Sequence, residues 1–461
     1  MLLPKGKTVS AKRLWLITGI AIFIRILFFV IVTDSQPQGL GNEVNDGTHY
    51  LKLAQSILSH YSYAIQYPTG EIKDFFRPPG YPIFIALTLL IDTSLQLLVY
   101  LQIVISGLTV FIVGYIAQNV FKCKNYLLPA IFYAIEPNNI AYCTYVSSET
   151  LFVFIWMLAL GLFFKAWQIK SSFFLYLSAV FWGIALYIRP IAQYGLYLTV
   201  FFVLYGTYKR LFSWKNLVLY TLIILALPGI WALRNFIHTG HFVFTAQKGW
   251  QMLFFYCASV EQHITGQGFE ETQIQFFNRY PTEYMKKHGI IVTDTTNLLT
   301  LTNALTFEDD IYFQQEAKKY FEHHYRDFLF SFFKGGMYML LGVGNWTWES
   351  YLGTLQKRGI KQVFDETNLI KQIKHQFYRE SILQTLFRIF HFAFLISVYA
   401  LFIRNVVLNR KNVLIYFLLI LILYMMILVA IVMENRYRIP IIAMMLPLTF
   451  YDKNPKTKNL M

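Results

Sequence analysis

Charged side chains are scarce in this sequence: Asp, Glu, Lys and Arg make up 14% of its 461 residues, against about 25% in soluble domains. With 56% of residues hydrophobic and a mean hydropathy of +0.45, that scarcity excludes a water-soluble enzyme of this length. Cysteine is nearly lacking. Cys123, Cys143 and Cys257 are too few and too scattered for a disulfide framework or a structural zinc site. No internal repeat or low-complexity tract is visible, which weighs against transporter folds built from two related halves. A nucleotide-binding fingerprint is also missing.

What is abundant is apolar sequence in runs of membrane length. A bilayer core takes about 20 apolar residues per helix, and windows of that quality fall at 14–33, 94–118, 126–143, 148–168, 172–190, 192–208, 216–236, 382–403, 412–433 and 437–452. The expected fold class is all-α, a multi-pass transmembrane protein of about ten spans. Lys5, Lys7, Lys12 and Arg13 precede the first window as they would in a secretory signal. That run is as long as a full span, however, and no small-residue cleavage site follows it, so it reads as a membrane helix.

With both termini inside, segments 1–13, 119–125, 165–171, 209–215, 404–411 and 453–461 hold seventeen Lys or Arg and no Asp or Glu. This is a positive-inside pattern. It absorbs the formal net charge of +15, so no nucleic-acid partner is implied. The opposite side then carries 34–93, 144–147, the junction at Arg189, 237–381 and the turn 434–438. Three regions follow: a transmembrane module 1–236 with its first outer loop at 34–93, an extracytoplasmic and interfacial region 237–381, and C-terminal membrane helices 382–461. The short apolar stretch 79–92 and the stretch 326–344, interrupted by Lys334-Gly335-Gly336, read as helices in the outer interface. Between 237 and 325 the acidic clusters Glu270-Glu271 and Glu308-Asp309-Asp310 predict a small soluble subdomain.

Ions are costly in hydrocarbon, so chemistry is sought among charges at span ends. In the first outer loop, Asn45 or Asp46 can cap a helix that places Asp46, His49 and Tyr50 at i, i+3 and i+4, on one face. The same pattern also fits a capped interfacial helix with a Tyr anchor. Arg77, in Asp74-Phe75-Phe76-Arg77-Pro78-Pro79-Gly80-Tyr81-Pro82, sits on a backbone stiffened by two prolines. Glu136-Pro137-Asn138-Asn139 closes the third span, and Ser147-Ser148-Glu149-Thr150 opens the fourth with an acid at a helix N-terminus, favourable for dipole reasons alone. Arg189-Pro190, Arg234-Asn235 and Glu434-Asn435-Arg436-Tyr437-Arg438-Ile439-Pro440 lie on the same outer side. Outward arginines run against the charge bias and ask for an anionic partner. Arginine's planar fork suits phosphate, so the pattern describes an outer-interface pocket for a lipid phosphate with a carboxylate beside it. Arg25, in mid-span, reads as a packed or snorkelling residue.

These residues resemble the GT-C superfamily of membrane glycosyltransferases, in the group that includes protein O-mannosyltransferases and the lipid A aminoarabinose transferases. The resemblance is carried by Asp46 with Tyr50-Leu51 and Ala54, by Arg77-Pro78-Pro79-Gly80-Tyr81-Pro82, by Ser148-Glu149-Thr150-Leu151-Phe152 and by Arg436-Tyr437-Arg438-Ile439-Pro440. Arg189-Pro190 and Arg234-Asn235 with Thr239-Gly240 also fit, while 250–380 matches only in being variable and extracytoplasmic. The resemblance implies transfer of a sugar, with inversion, from a polyprenyl-phosphate carrier to a lipid, glycan or protein acceptor in a bacterial plasma membrane. It makes Asp46 the candidate general base. It also places His49, Tyr50, Arg77, Glu149, Arg189, Arg234, Arg436, Tyr437 and Arg438 around the donor, with the arginines holding its phosphate. A phosphate departs as a stabilised anion, so fixed cations can replace a general acid. No nucleotide cofactor is implied. Glu149 is left with two roles, orienting the sugar or holding a divalent cation. Two departures are visible: Gly47 stands where many relatives carry a second acid, and His49 where they carry an arginine, which would make phosphate binding there pH-dependent. Two competing functions are a lipid-linked sugar flippase, which would favour charges along the interior of several spans, and a non-enzymatic assembly protein whose arginines bind anionic membrane lipid.

Overall fold

The computed structural model describes residues 5–35, 46–67, 70–293, 305–343, 382–409, 412–432 and 434–451. Asn45, the alternative cap, lies outside the described residues, as does 344–381. Six helices are long and apolar enough to cross a bilayer: Ala11–Ile31 within α1 (Lys5–Ser35), α4 (Gln96–Asn119), α7 (Glu149–Ile169), α10 (Trp214–Thr239), Thr385–Leu408 within α17 (Ile382–Leu408), and Val413–Val432, which contains α18 (Val413–Val429).

The other four expected spans form helices of 17 residues or fewer. The window 126–143 is split into α5 (Leu127–Ala134) and α6 (Pro137–Tyr142). Pro137 starts the second piece at N1, and the Glu136 side chain caps it by accepting from the Asn139 amide at 2.5 Å. α8 (Ser172–Ile188) stops before Arg189-Pro190, because a residue preceding proline is pushed out of helical geometry. α9 (Ala192–Tyr208) has 17 residues. α19 (Arg438–Thr449) has 12, roughly 18 Å at 1.5 Å per residue. Every one of its residues is buried, as expected of a helix enclosed on all sides.

α7 runs through the centre of the bundle. Its Trp156 meets Trp182 of α8 edge-on at 4.3 Å and donates to the Met444 sulfur of α19 at 3.2 Å. Phe163 meets Phe417 of α18, which in turn stacks on Phe202 of α9 at 4.4 Å. Outward faces such as Phe201, Leu222 and Ile427 are exposed and apolar, a surface made for lipid rather than water. Arg25 is fully buried, with Nε donating to Ser106 Oγ at 2.8 Å and Nη1 to the carbonyls of Ala21 and Ala134.

The first outer loop contributes α2 (Asp46–His60), a short antiparallel hairpin of β1 (Ala64–Tyr67) and β2 (Gly70–Lys73), and α3 (Gly80–Leu89). Ile65 pairs with Ile72 across the hairpin, and Lys73 hands the chain to Asp74. Beyond α10 the polar region folds as α11 (Lys248–Gln251), a π-helical turn Met252–Cys257, α12 (Ala258–Thr265), α13 (Phe269–Arg279), α14 (Glu283–His288) and α15 (Phe307–His323). It has its own core of Trp250, Phe254, Phe277 and Phe313, which reaches Phe76 of the first loop. The acidic clusters are structural. Asp309 forms a capping box with Thr306, Asp310 accepts from the Gly249 amide at 2.6 Å, and Glu270 and Glu271 occupy the first turn of α13.

The helix expected in 326–344 is present as α16 (Tyr325–Leu341), which runs without a break through Lys334-Gly335-Gly336. Gly335 serves close packing. A Cβ on Gly335 would lie 2.3 Å from the Ala430 carbonyl oxygen, so its absence lets α16 lie directly on the end of α18.

Candidate active site

Residues distant in sequence meet at one end of the bundle, the end that the charge pattern assigns to the outside. Asp46, at the start of α2, holds Arg77 Nη2 at 2.5 Å on one carboxylate oxygen and Arg436 Nη1 at 3.1 Å on the other. Glu149, at the start of α7, takes Arg189 Nη1 at 2.5 Å and lies 3.6 Å from Arg436 Nη1. Arg436 also pairs through Nε with Glu434. Three guanidinium groups and three carboxylates thus balance one another. Tyr437 presents its ring to both Arg189 and Arg436, 5.3 and 5.2 Å from the ring centre. The buried Tyr50 ring lies 5.1 Å from the Arg77 guanidinium, and its hydroxyl is 3.5 Å from Ser148 Oγ, which accepts from Arg189 at 3.2 Å.

Exposure separates the two acids. The Asp46 side chain is 34% exposed, Glu149 only 5%, so Asp46 is the carboxylate that an incoming group can approach. Burial raises the Asp46 carboxyl, but the adjacent Arg77 and then Arg436 outweigh it and hold the group well below the usual carboxylate range. In the reciprocal sense, burial lowers Arg77 while Asp46 more than restores it, leaving it above its ordinary value.

Three of the expected donor residues stand elsewhere. His49 is buried behind Arg77, with Nε2 at 2.5 Å from Asp74 Oδ2 and Nδ1 facing Arg77 Nε at 3.5 Å. Arg234 donates to the backbone carbonyls of Asp74 and Tyr63 at 3.0 and 3.2 Å, tying the end of α10 to the first loop. Arg438 is fully buried and donates through Nη1 to the carbonyls of Met339, Leu340 and Gly342. It caps the C-terminus of α16, where unpaired carbonyls and the helix dipole favour a cation.

Two participants escaped the sequence reading. Asp74 accepts from the Phe76 and Arg77 amides at 3.0 and 2.7 Å, an Asx-type turn that an acid just before a rigid X-Pro-Pro could have signalled. Glu434 was visible as an acid two residues from Arg436 but carried no assigned role.

The departure at Gly47 has a steric cause. A Cβ there would lie 2.7 Å from the Val146 carbonyl oxygen, so the close approach of α2 to the 144–147 turn leaves no place for a second acid. Among the described residues, no group of three His, Cys, Asp or Glu stands together as a metal would require, and Glu149 faces arginines. The described residues alone do not assemble a metal centre.

Residues 76–234 match the family model described as dolichyl-phosphate-mannose-protein mannosyltransferase. That segment contains Arg77, Glu149, Arg189 and Arg234. Comparison with curated proteins gives no match. Among solved structures, the archaeal oligosaccharyltransferase AglB from Archaeoglobus fulgidus, in complex with an inhibitory peptide and a dolichol-phosphate, aligns with TM-score 0.48 and 14% identity over 93% of this chain and 50% of its own. ArnT from Cupriavidus metallidurans, bound to undecaprenyl phosphate, aligns with TM-score 0.40 and 12% identity over 96% of this chain and 78% of its own. The chain therefore spans about half the length of the oligosaccharyltransferase. Over residues 76–234, about a third of its length, the chain is thus similar to the dolichyl-phosphate-mannose-protein mannosyltransferases.

Proposed function

We propose that the protein transfers a sugar from a polyprenyl-phosphate-linked donor to an acceptor hydroxyl at the extracytoplasmic face of a bacterial plasma membrane, inverting the anomeric carbon. The observation that carries this reading is the Asp46 carboxylate, partly exposed and shared between Arg77 and Arg436. Asp46 takes the proton of the acceptor hydroxyl as its oxygen attacks the anomeric carbon. The bond from that carbon to the phosphate oxygen breaks, and polyprenyl phosphate leaves. Arg77, Arg189 and Arg436 hold the phosphate and stabilise the charge that accumulates on departure. Tyr50 and Tyr437 keep those guanidinium groups in place by their ring faces, and Glu149 anchors Arg189.

The ion-paired resting state adds a physical consequence. With both arginines on it, Asp46 is a poor base. A donor phosphate that draws Arg77 and Arg436 toward itself leaves the carboxylate with less compensating charge, and its basicity rises. The base is thereby strengthened only when donor is bound.

The test is mass spectrometry of lipids that co-purify with the wild type and with Asp46→Asn. A polyprenyl phosphate carrying a sugar, enriched in the variant that binds but does not turn over, is the expected result and identifies the donor. Only bulk phospholipid in both samples contradicts a resident donor site.

A further inference from the structure

Asp74 and His49 form a pair in which both side chains have no solvent exposure. Burying an acid and an imidazole is costly, and apolar side chains of similar bulk would fill the same space without that cost. Their contacts point to a use. The two Asp74 oxygens divide their work: Oδ1 accepts from the Phe76 and Arg77 amides, and Oδ2 receives His49 Nε2 at 2.5 Å. On the other side of the ring, Nδ1 meets Arg77 Nε at 3.5 Å. A carboxylate only accepts and a guanidinium only donates, so one imidazole form serves both, with hydrogen on Nε2 and the lone pair on Nδ1. The ring lies parallel to Phe76, 8° between planes, and the guanidinium carbon lies over the rings of Tyr50 and Phe76, 5.1 and 4.9 Å from their centroids. Arg77 is thus held at its backbone amide by Asp74 and at Nε by His49, with two rings against its guanidinium and Nη2 on Asp46.

We infer that His49 and Asp74 are positioning residues that act through Arg77, setting its guanidinium for the donor phosphate without touching the donor. This rests on the reading of Arg77 as a phosphate ligand.

A double-mutant cycle on the full-length protein in nanodiscs, with undecaprenyl phosphate as the probe, separates the two ideas. Arg77→Ala and His49→Ala are each expected to raise Kd about tenfold, the loss of one hydrogen bond to a charged group. The double variant should bind no more weakly than Arg77→Ala alone, because His49 has nothing left to position. A His49→Ala loss that persists in full in the Arg77→Ala background overturns the inference and makes the imidazole a space-filler. If Arg77→Ala binds like the wild type, it is the phosphate reading of Arg77 that fails. Should His49→Ala not fold, His49→Asn and His49→Leu replace it. Asparagine can present an acceptor where Nδ1 stands and should bind within about threefold of the wild type, whereas leucine should be about tenfold weaker; equal affinities refute the positioning role.

Discussion

Arg436 and Arg438 stand two residues apart in one motif, yet their surroundings predict opposite phenotypes. Arg436→Gln removes a guanidinium that faces Asp46, Glu149 and Glu434. Asp46 keeps Arg77, the buried Glu149 keeps Arg189, and Glu434, 41% exposed, can turn to water, so the partly exposed pairs with Asp46 and Glu434 cost the fold about 0–1 kcal/mol each. The reaction loses a cation placed where charge develops, about 10²–10³ in kcat by analogy with removing an oxyanion-stabilising donor. Arg438→Gln does the reverse. Three carbonyls at the end of α16 lose a fully buried donor. At about 1–3 kcal/mol for an unsatisfied buried acceptor, partly shared among the three, the cost is roughly 3 kcal/mol or more. The assay pairs thermal unfolding in one detergent with release of polyprenyl phosphate from a lipid-linked sugar. Arg436→Gln should unfold near the wild-type temperature with turnover reduced about a hundredfold. Arg438→Gln should unfold several degrees earlier and retain most of its turnover when assayed cold. An Arg438→Gln protein of wild-type stability that has lost donor binding would refute the assignment.

Other consequences follow from single contacts. Gly47→Glu, which adds an acid directly after Asp46, forces a Cβ toward the Val146 carbonyl oxygen and should destabilise by about 1–3 kcal/mol; an unchanged melting temperature would remove the steric explanation. Because Arg77 and Arg436 hold Asp46 below its ordinary value of 3.8, its contribution to stability is complete above that value and disappears as pH falls through the lower, folded-state pKa. The difference in melting temperature between wild type and Asp46→Asn should therefore be equal at pH 7 and pH 5 and shrink only below about pH 4; loss of the difference by pH 5 would show that the carboxylate is not so paired.

Much of this site was legible in the sequence because membrane energetics restrict where charges go. Asp46, Arg77, Glu149, Arg189 and Arg436 were singled out as charges at span ends on one side, and the structure brings all five together. What hydropathy and spacing do not report is which atoms a side chain meets. Arg234, Arg438 and His49 carry the same chemistry as the site residues but face backbone carbonyls or a buried acid. The fold was legible to the same depth. Long apolar runs became long helices, whereas Glu136-Pro137 split one expected span and the wholly buried α19 fell well short of membrane length. Lys334-Gly335-Gly336 interrupts an apolar stretch but not the helix, and what the sequence does not report is that Gly335 allows close contact with Ala430.

The central claim is that Asp46 takes the acceptor proton while arginines hold the donor. It is tested most directly by following release of free polyprenyl phosphate by wild type and Asp46→Asn, each loaded with the lipid-linked sugar that co-purifies and mixed with the membrane fraction that supplies acceptor. Release by the wild type, with Asp46→Asn retaining its donor intact, is the predicted result. Release by Asp46→Asn at the wild-type rate would contradict it.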